Sequence, residues 1–299
     1  TLFALCFVPR RSWILTLHPP IHLFGKLLHA LKKHEFVVTF ADRFQFDPKS
    51  FSGAMFNRYI HHCARSAKYV LFMSSDIEKH HAGDIYRKSG GLRKRWSLGI
   101  RSRFDGRHLT EKVTRIGSMK TTAIGYVGVI RSCVGLENLL DYARRHDDVR
   151  IDIVGEGQYS VELRRRCKDA ALEERVRFHG FLTTDAVYAL SRDWTCGAML
   201  YDMDNTLYTR FTEPGKAKLY ITLVLPVLMT DVSYIADEIR HHKAGVVLPD
   251  NKPALIEEAI VTLKQDYADY VKGTVAMAKV YDYQRRYDED FSFMEKIPA

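Results

Sequence analysis

From Ala123 to Gln265 the chain repeats one rhythm: a short apolar run, a break, then apolar residues at helical spacing. Ala123 to Val129 is followed, after Gly135, by Leu136, Leu139, Leu140 and Ala143 on one helix face. RIDIVG at 150–155 alternates as a strand does, Leu163, Cys167 and Ala170 mark a helix, and Val176 to Phe178 is a short strand ending at Gly180. The pattern continues through a helix at Asp185 to Ser191, a strand at Cys196 to Tyr201 and a helix opening at Pro214. Strands at Pro226 to Thr230 and Gly245 to Leu248 then alternate with helices at Tyr234 to His241 and Pro253 to Gln265. Short strands alternating with amphipathic helices leave little choice of fold: an α/β chain with a doubly wound parallel sheet.

The first hundred residues carry a looser version of the same pattern. Strand-like runs stand at Leu2 to Val8, Trp13 to Leu17, Phe36 to Phe40 and Tyr69 to Met73, and Leu23, Leu27, Leu28 and Leu31 share one helix face. From Leu98 to about Thr122 the sequence is polar and aperiodic, as a connection between lobes is. The expected organisation is therefore a first lobe over 1–108, a second over 109–281 and a tail over 282–299. In the last segment, Val275, Ala278, Lys279, Tyr283 and Arg286 stand in a helical setting and fit a solvated terminal helix.

Of 299 residues 46% are hydrophobic, enough for two cored lobes and too many for a disordered chain. The formal charge of +9 is spread along the chain, which favours anionic partners: phosphorylated substrates, an anionic membrane face or nucleic acid. No aromatic-rich strand motif or recognition helix interleaves with the basic clusters, so nucleic acid is not expected. The opening TLFALCFV is too short to span a bilayer and precedes its basic residues, so it reads as a buried strand, and the start at Thr1 reads as a truncated N-terminus. Five cysteines without a C-x-x-C pair read as reduced thiols of a cytoplasmic protein. No Cys/His spacing fits a metal, and Asp202 and Asp204 read as loop and cap residues, so no metal or cofactor is expected.

The chemistry concentrates at Thr209 to Thr230. Pro214 suits a first helical position, Gly215 leaves the next amides uncovered, and Lys216 and Lys218 add charge, so this helix start can hold a phosphate; Pro-Gly is also ordinary turn punctuation. Gly155-Glu156-Gly157 is only half a dinucleotide fingerprint. His18 and Asp42 stand just after strands, where ligands of open sheets bind, and are candidate catalytic or acceptor-contacting residues; they equally fit a turn histidine and a helix cap or ion-pair partner.

Taken in order, YVGVIRSCVGLENLL, IDIVGEGQ, VRFHGFL, PGKAKLYITLVLPVLMTDV and KAGVVL resemble the donor domain of GT-B fold glycosyltransferases of family 4, over roughly 66–250. KYVLFMSSDIEKHHA and WSLGIRSRFDG resemble the end of that family's first lobe. The resemblance implies two Rossmann-like lobes, the first incomplete, and transfer of a sugar from a nucleotide-sugar co-substrate to a glycan or glycolipid acceptor. It implies retention at the anomeric carbon, no metal, and work in polysaccharide or glycoconjugate synthesis at the inner membrane face. The family's diphosphate-gripping arginine and lysine are replaced by Val129 and Val134, leaving Arg131 nearby, and its paired glutamates by Phe211 and Leu219. EPGKAKLY is similar to a galactofuranosyltransferase-like subset, which implies donor contacts from Glu213, Lys216 and Tyr220 beside Gly128 and Gly215, with Glu213 also a catalytic candidate. The alternative is a catalytically silent partner of another transferase.

Overall fold

The computed structural model describes residues 12–17, 19–32, 34–40, 49–79, 92–96, 99–101, 106–203, 214–292 and 294. Leu2 to Val8, His18, Asp42, Asp204, Phe211 and Glu213 lie outside them. The chain forms two compact units. One comprises Thr1–Gly99, Phe211–Glu213 and Tyr283–Ala299, the other Ile100–Arg210 and Pro214–Asp282. The division falls upstream of the boundary expected near residue 108, and the C-terminal segment belongs to the first unit.

In the first unit, β1 (Trp13–Thr16), α1 (Pro19–Lys32), β2 (Glu35–Phe40), α2 (Phe51–Ser66), β3 (Tyr69–Phe72) and β4 (Leu92–Arg95) follow in order. Their strands form an all-parallel sheet in the order β1-β2-β3-β4. Its core is Phe36, Val38, Phe40, Val70, Phe72 and Ile60, with the Phe40 and Phe72 rings stacked at 5.4 Å. The leucine face of α1 departs from a simple core stripe: Leu28 is buried, whereas Leu23, Leu27 and Leu31 are exposed. The helix instead turns His22, Gly25 and Leu28 inward, and the His22 Nδ1 pairs with the Thr16 hydroxyl at 2.7 Å. β4, LRKR, carries no apolar alternation that would announce it as a strand.

The second unit opens on α3 (Gly106–Ser118), where the sequence reads as an aperiodic connection. Its inward face holds a lysine, Lys112, beside Ile116, and a charged residue in the buried stripe hides the period. β5 (Thr122–Val127), α4 (Leu136–Arg145), β6 (Val149–Val154), α5 (Ser160–Asp169), β7 (Val176–Gly180), α6 (Thr184–Ser191) and β8 (Cys196–Met199) follow. Next come α7 (Gly215–Thr222), β9 (Val227–Thr230), α8 (Ile235–His242), β10 (Gly245–Leu248), α9 (Pro253–Gln265) and α10 (Tyr267–Val280). The six strands are parallel in the order β10-β9-β8-β5-β6-β7. This is the doubly wound arrangement that the sequence predicts, with the strand order reversing between β5 and β8. One face is covered by α4, α5 and α9 through Leu139, Leu163, Ile256 and Ile260, the other by α7 and α8 through Tyr220, Ile221, Ile235 and Ile239. The final helix, α11 (Tyr283–Phe291), packs in the first unit, where Phe291 meets the Trp96 ring edge-on at 5.8 Å and the Trp13 Nε1 donates to the Met294 carbonyl at 2.8 Å.

At the centre of the second sheet, Gly125 and Gly197 are partners across β5 and β8. The missing side chains make room for two rings, Trp194 over Gly125 and Tyr220 over Gly197. Trp194 is held in turn by a buried carboxylate: Asp152 on β6 accepts from its Nε1 at 2.9 Å, pairs with His179 at 2.8 Å and meets Arg150 at 3.3 Å. A Cβ at Gly125 would stand 2.0 Å from the Trp194 ring. Gly125→Ala should therefore destabilise the protein by about 1–3 kcal/mol, the range for overpacking a filled core. Chemical denaturation checks this, and an unchanged midpoint would mean that the ring has room to retreat.

Candidate functional site

Ligands of doubly wound sheets bind beyond the carboxyl ends of the strands, where the strand order reverses. Here that place lies past the ends of β5 and β8, and α7 begins beside it. Pro214 precedes the helix without any side-chain cap, so the first amides of α7 have no partner from a capping side chain. Gly215 is exposed, with open space where a Cβ would stand. A helix thus starts at Gly215, directly after Pro214.

Lys216 is the side chain that the fold has arranged with most care. It reaches over the carboxyl ends of β5 and β8, where a Cβ on Gly128 would stand 2.4 Å from its Cε. Its Nζ donates to the Tyr126 and Tyr201 hydroxyls, both at 3.0 Å, and lies 4.7 Å from each ring centroid. Tyr126 belongs to β5, Tyr201 follows β8, and the Tyr126 hydroxyl donates to the Val129 carbonyl at 2.7 Å. Among the described residues no carboxylate pairs with this ammonium. Burial pulls its pKa down to about 8. A half-buried cation whose described partners are two phenols and their ring faces is poised to accept an anion.

The remaining expectations divide. Arg131 is exposed in the loop after β5, on the same side as Gly128. Tyr220 is not available to a ligand: it is fully buried, its hydroxyl donates to the Ala198 carbonyl at 2.9 Å and accepts from the Val127 amide at 3.1 Å. Two residues after Lys216 the helix has turned about 200°, so Lys218 is buried, with its Nζ 4.3 Å from the centroid of the Tyr281 ring, and adds nothing to the helix mouth. Val129 is exposed, Val134 is buried, and Leu219 packs against the core. Asp202 accepts from the Asn251 side chain at 2.7 Å, as a loop residue does, and the described residues contain no cluster able to hold a metal. His18, Asp42 and Glu213 lie outside the described residues. Sequence reasoning missed Tyr126 and Tyr201. Each stands near the end of a strand that borders the strand-order reversal, and only the strand order makes them neighbours.

Residues 111–272 match the family profile "Glycosyl transferases group 1". No curated protein sequence matches the chain. Among solved structures, HepE of Anabaena in complex with UDP is similar at 16% identity, covering 99% of this chain and 80% of that one, with a TM-score of 0.75. Sucrose-phosphate synthase from Thermosynechococcus elongatus is similar at 12% identity, covering 95% and 73%, with a TM-score of 0.71. TarM of S. aureus, solved with UDP and alpha-GlcNAc-glycerol, is similar at 15% identity, covering 99% and 58%, with a TM-score of 0.69.

The lowered pKa of Lys216 fixes the sign of a stability effect. The folded protein holds this proton less tightly than the unfolded chain, so below about pH 8 the buried ammonium is a cost to folding. That cost disappears as pH rises from about 8 towards the ordinary lysine value of 10.5. Lys216→Met, similar in length and uncharged, should be as stable as the parent or more so at pH 7, and its advantage should shrink between pH 8 and 10.5. Paired urea melts across this range measure it. A large loss of stability at pH 7 would show that the lysine is a structural brace.

Proposed function

The chain belongs to the glycosyl transferases group 1 family, and from that premise we propose that it moves a hexosyl group from a nucleoside-diphosphate sugar to a hydroxyl of a glycan or glycolipid acceptor. The transfer proceeds with retention at the anomeric carbon and without a metal, in polysaccharide or glycoconjugate synthesis. The observation that carries this reading is Lys216: a cation without a carboxylate partner among the described residues, held by two tyrosines beside an open helix start at the strand-order reversal. HepE and TarM were solved with UDP, which makes UDP the natural probe.

In this scheme the diphosphate lies against the Gly215 and Lys216 amides, with Lys216 and Arg131 supplying charge and Gly128 leaving room. As the bond from the sugar to the diphosphate breaks, negative charge grows on the leaving oxygen, and the partly desolvated ammonium stabilises it more than the intact donor. Glu213 accepts from hydroxyls of the donor sugar or ribose, and His18 and Asp42 serve the acceptor. The exposed Val129 and the buried Val134 stand where the family resemblance implies an arginine and a lysine, and they favour the second reading, a silent partner of another transferase.

Binding of UDP separates the two. Saturating UDP, at about a hundred times its dissociation constant, should add roughly 2.7 kcal/mol of stability. Affinity should fall above about pH 8 as Lys216 loses its proton, and Lys216→Ala should lack that fall. Turnover of UDP-sugars should survive EDTA and drop further than donor affinity in Lys216→Ala. No shift with UDP, or with any other nucleoside diphosphate, would favour the silent partner; activity abolished by EDTA and restored by manganese would refute metal independence.

Peripheral contact with an anionic membrane is supported by the first unit. Residues 19–32 and 51–66 contain no aspartate or glutamate. They expose Leu23, Leu27, Leu31, Phe51 and Met55, with Arg58 and Arg65 exposed on α2. Apolar side chains on basic helices partition into the interface of anionic bilayers. No helix among the described residues is long and apolar enough to cross one. The protein should co-sediment with phosphatidylglycerol vesicles and much less with phosphatidylcholine, and Leu27→Glu with Leu31→Glu should release it. Equal recovery in the supernatant with both lipids would remove the membrane from the proposal.

A further inference from the structure

The second unit has a cavity at the amino ends of its strands, the end opposite Lys216. It has a volume of about 430 Å³, within the roughly 300–1,000 Å³ usual for small-molecule sites. Its walls come from α3, from the C-terminal end of α6 and from Leu223 and Val224 just past α7. Tyr188, Leu223, Val224 and the exposed Thr114 give it an apolar lining, while Arg192 stands at its rim.

Lys112 projects from α3 into this wall and is 7% exposed. Its Nζ donates to the Ser191 carbonyl at 2.7 Å and the Arg192 carbonyl at 3.2 Å. These carbonyls close α6, where a cation is favourable. They take two of its three hydrogens. Among the described residues no carboxylate pairs with Lys112, and the Asp193 carboxylate is engaged by Arg115. Burial pulls the Lys112 pKa down to about 7, with Asp193 opposing and Arg115 reinforcing. Capping α6 explains the two hydrogen bonds; it does not explain an apolar cavity left open beside a buried cation.

We propose that this cavity is a second ligand site, taking a small amphipathic carboxylate whose oxygens meet Lys112 and whose carbon chain lies on Tyr188, Leu223 and Val224. Glu111, Arg115 and Arg192 line the same cavity, and Arg115 is already engaged by the Asp193 carboxylate. It is not the nucleotide site, which lies beyond the other ends of the strands, and it does not depend on the transferase assignment.

Isothermal titration of the full chain with hexanoate tests this, with hexanol and hexylamine as uncharged and cationic comparators. Hexanoate should bind saturably, with both comparators weaker by about tenfold or more, and Lys112→Met should lose about tenfold or more for hexanoate while hexanol binding persists. Thr114→Trp, a substitution at an exposed position that fills the cavity, should abolish binding of both, and it decides the matter if Lys112→Met fails to fold. The proposal is overturned if hexanoate does not bind saturably, if a comparator binds equally well, or if hexanoate binding survives Thr114→Trp or is unchanged in a folded Lys112→Met.

Discussion

The second unit depends on a phenol wedged between two strands. Tyr220 accepts from the Val127 amide on β5 and donates to the Ala198 carbonyl on β8, bridging two backbone groups that the sheet would otherwise join directly. Its ring occupies the space over Gly197. One hydroxyl thus satisfies a buried donor and a buried acceptor, each of which would cost about 1–3 kcal/mol if left alone. It also parts β5 and β8 at their carboxyl ends, which is where the tyrosines that hold Lys216 stand apart. Lys216 and Tyr220 are four residues apart on α7, hence on one helix face. Seating the tyrosine aims the lysine.

Around that wedge the loops meet backbone to backbone. At Gly155, φ is +123° and a Cβ would stand 2.1 Å from the Gly128 carbonyl oxygen. The Ile130 amide donates to the Glu156 carbonyl at 3.2 Å, so the loops after β5 and β6 support each other before any ligand arrives. Preorganisation of this kind lets an ammonium and helix amides act on an anion without first rearranging. The fragment Gly155-Glu156-Gly157, weak as a dinucleotide signature, has its physical meaning in this contact.

The sequence makes legible what depends on period. Strands such as RIDIVG and helices such as the one through Leu139 and Leu140 repeat a local rule, and they stand where the pattern puts them. Residues whose role depends on a distant partner escape. Lys218 looks like a second phosphate ligand until the helix rotation turns it toward Tyr281. Tyr220 looks like a donor contact until the parting of β5 from β8 claims its hydroxyl. α3 is hidden because its buried stripe includes Lys112, and β4 because LRKR has no apolar alternation. Lys216 was visible as a charge at a helix start; that it lies between two phenols follows from strand order, which no local pattern encodes.

The first unit is discontinuous in the chain. Trp13 bonds to the Met294 carbonyl and Trp96 packs on Phe291, so segments from before and after the second unit pack together in the first. The second unit lies between them and is continuous enough to close on its own. During synthesis the order of completion is therefore the reverse of the order of translation. The unit begun first waits for α11 to leave the ribosome, and a nascent chain stalled before Tyr283 carries a complete second sheet while Trp96 still lacks Phe291 and Trp13 lacks the Met294 carbonyl.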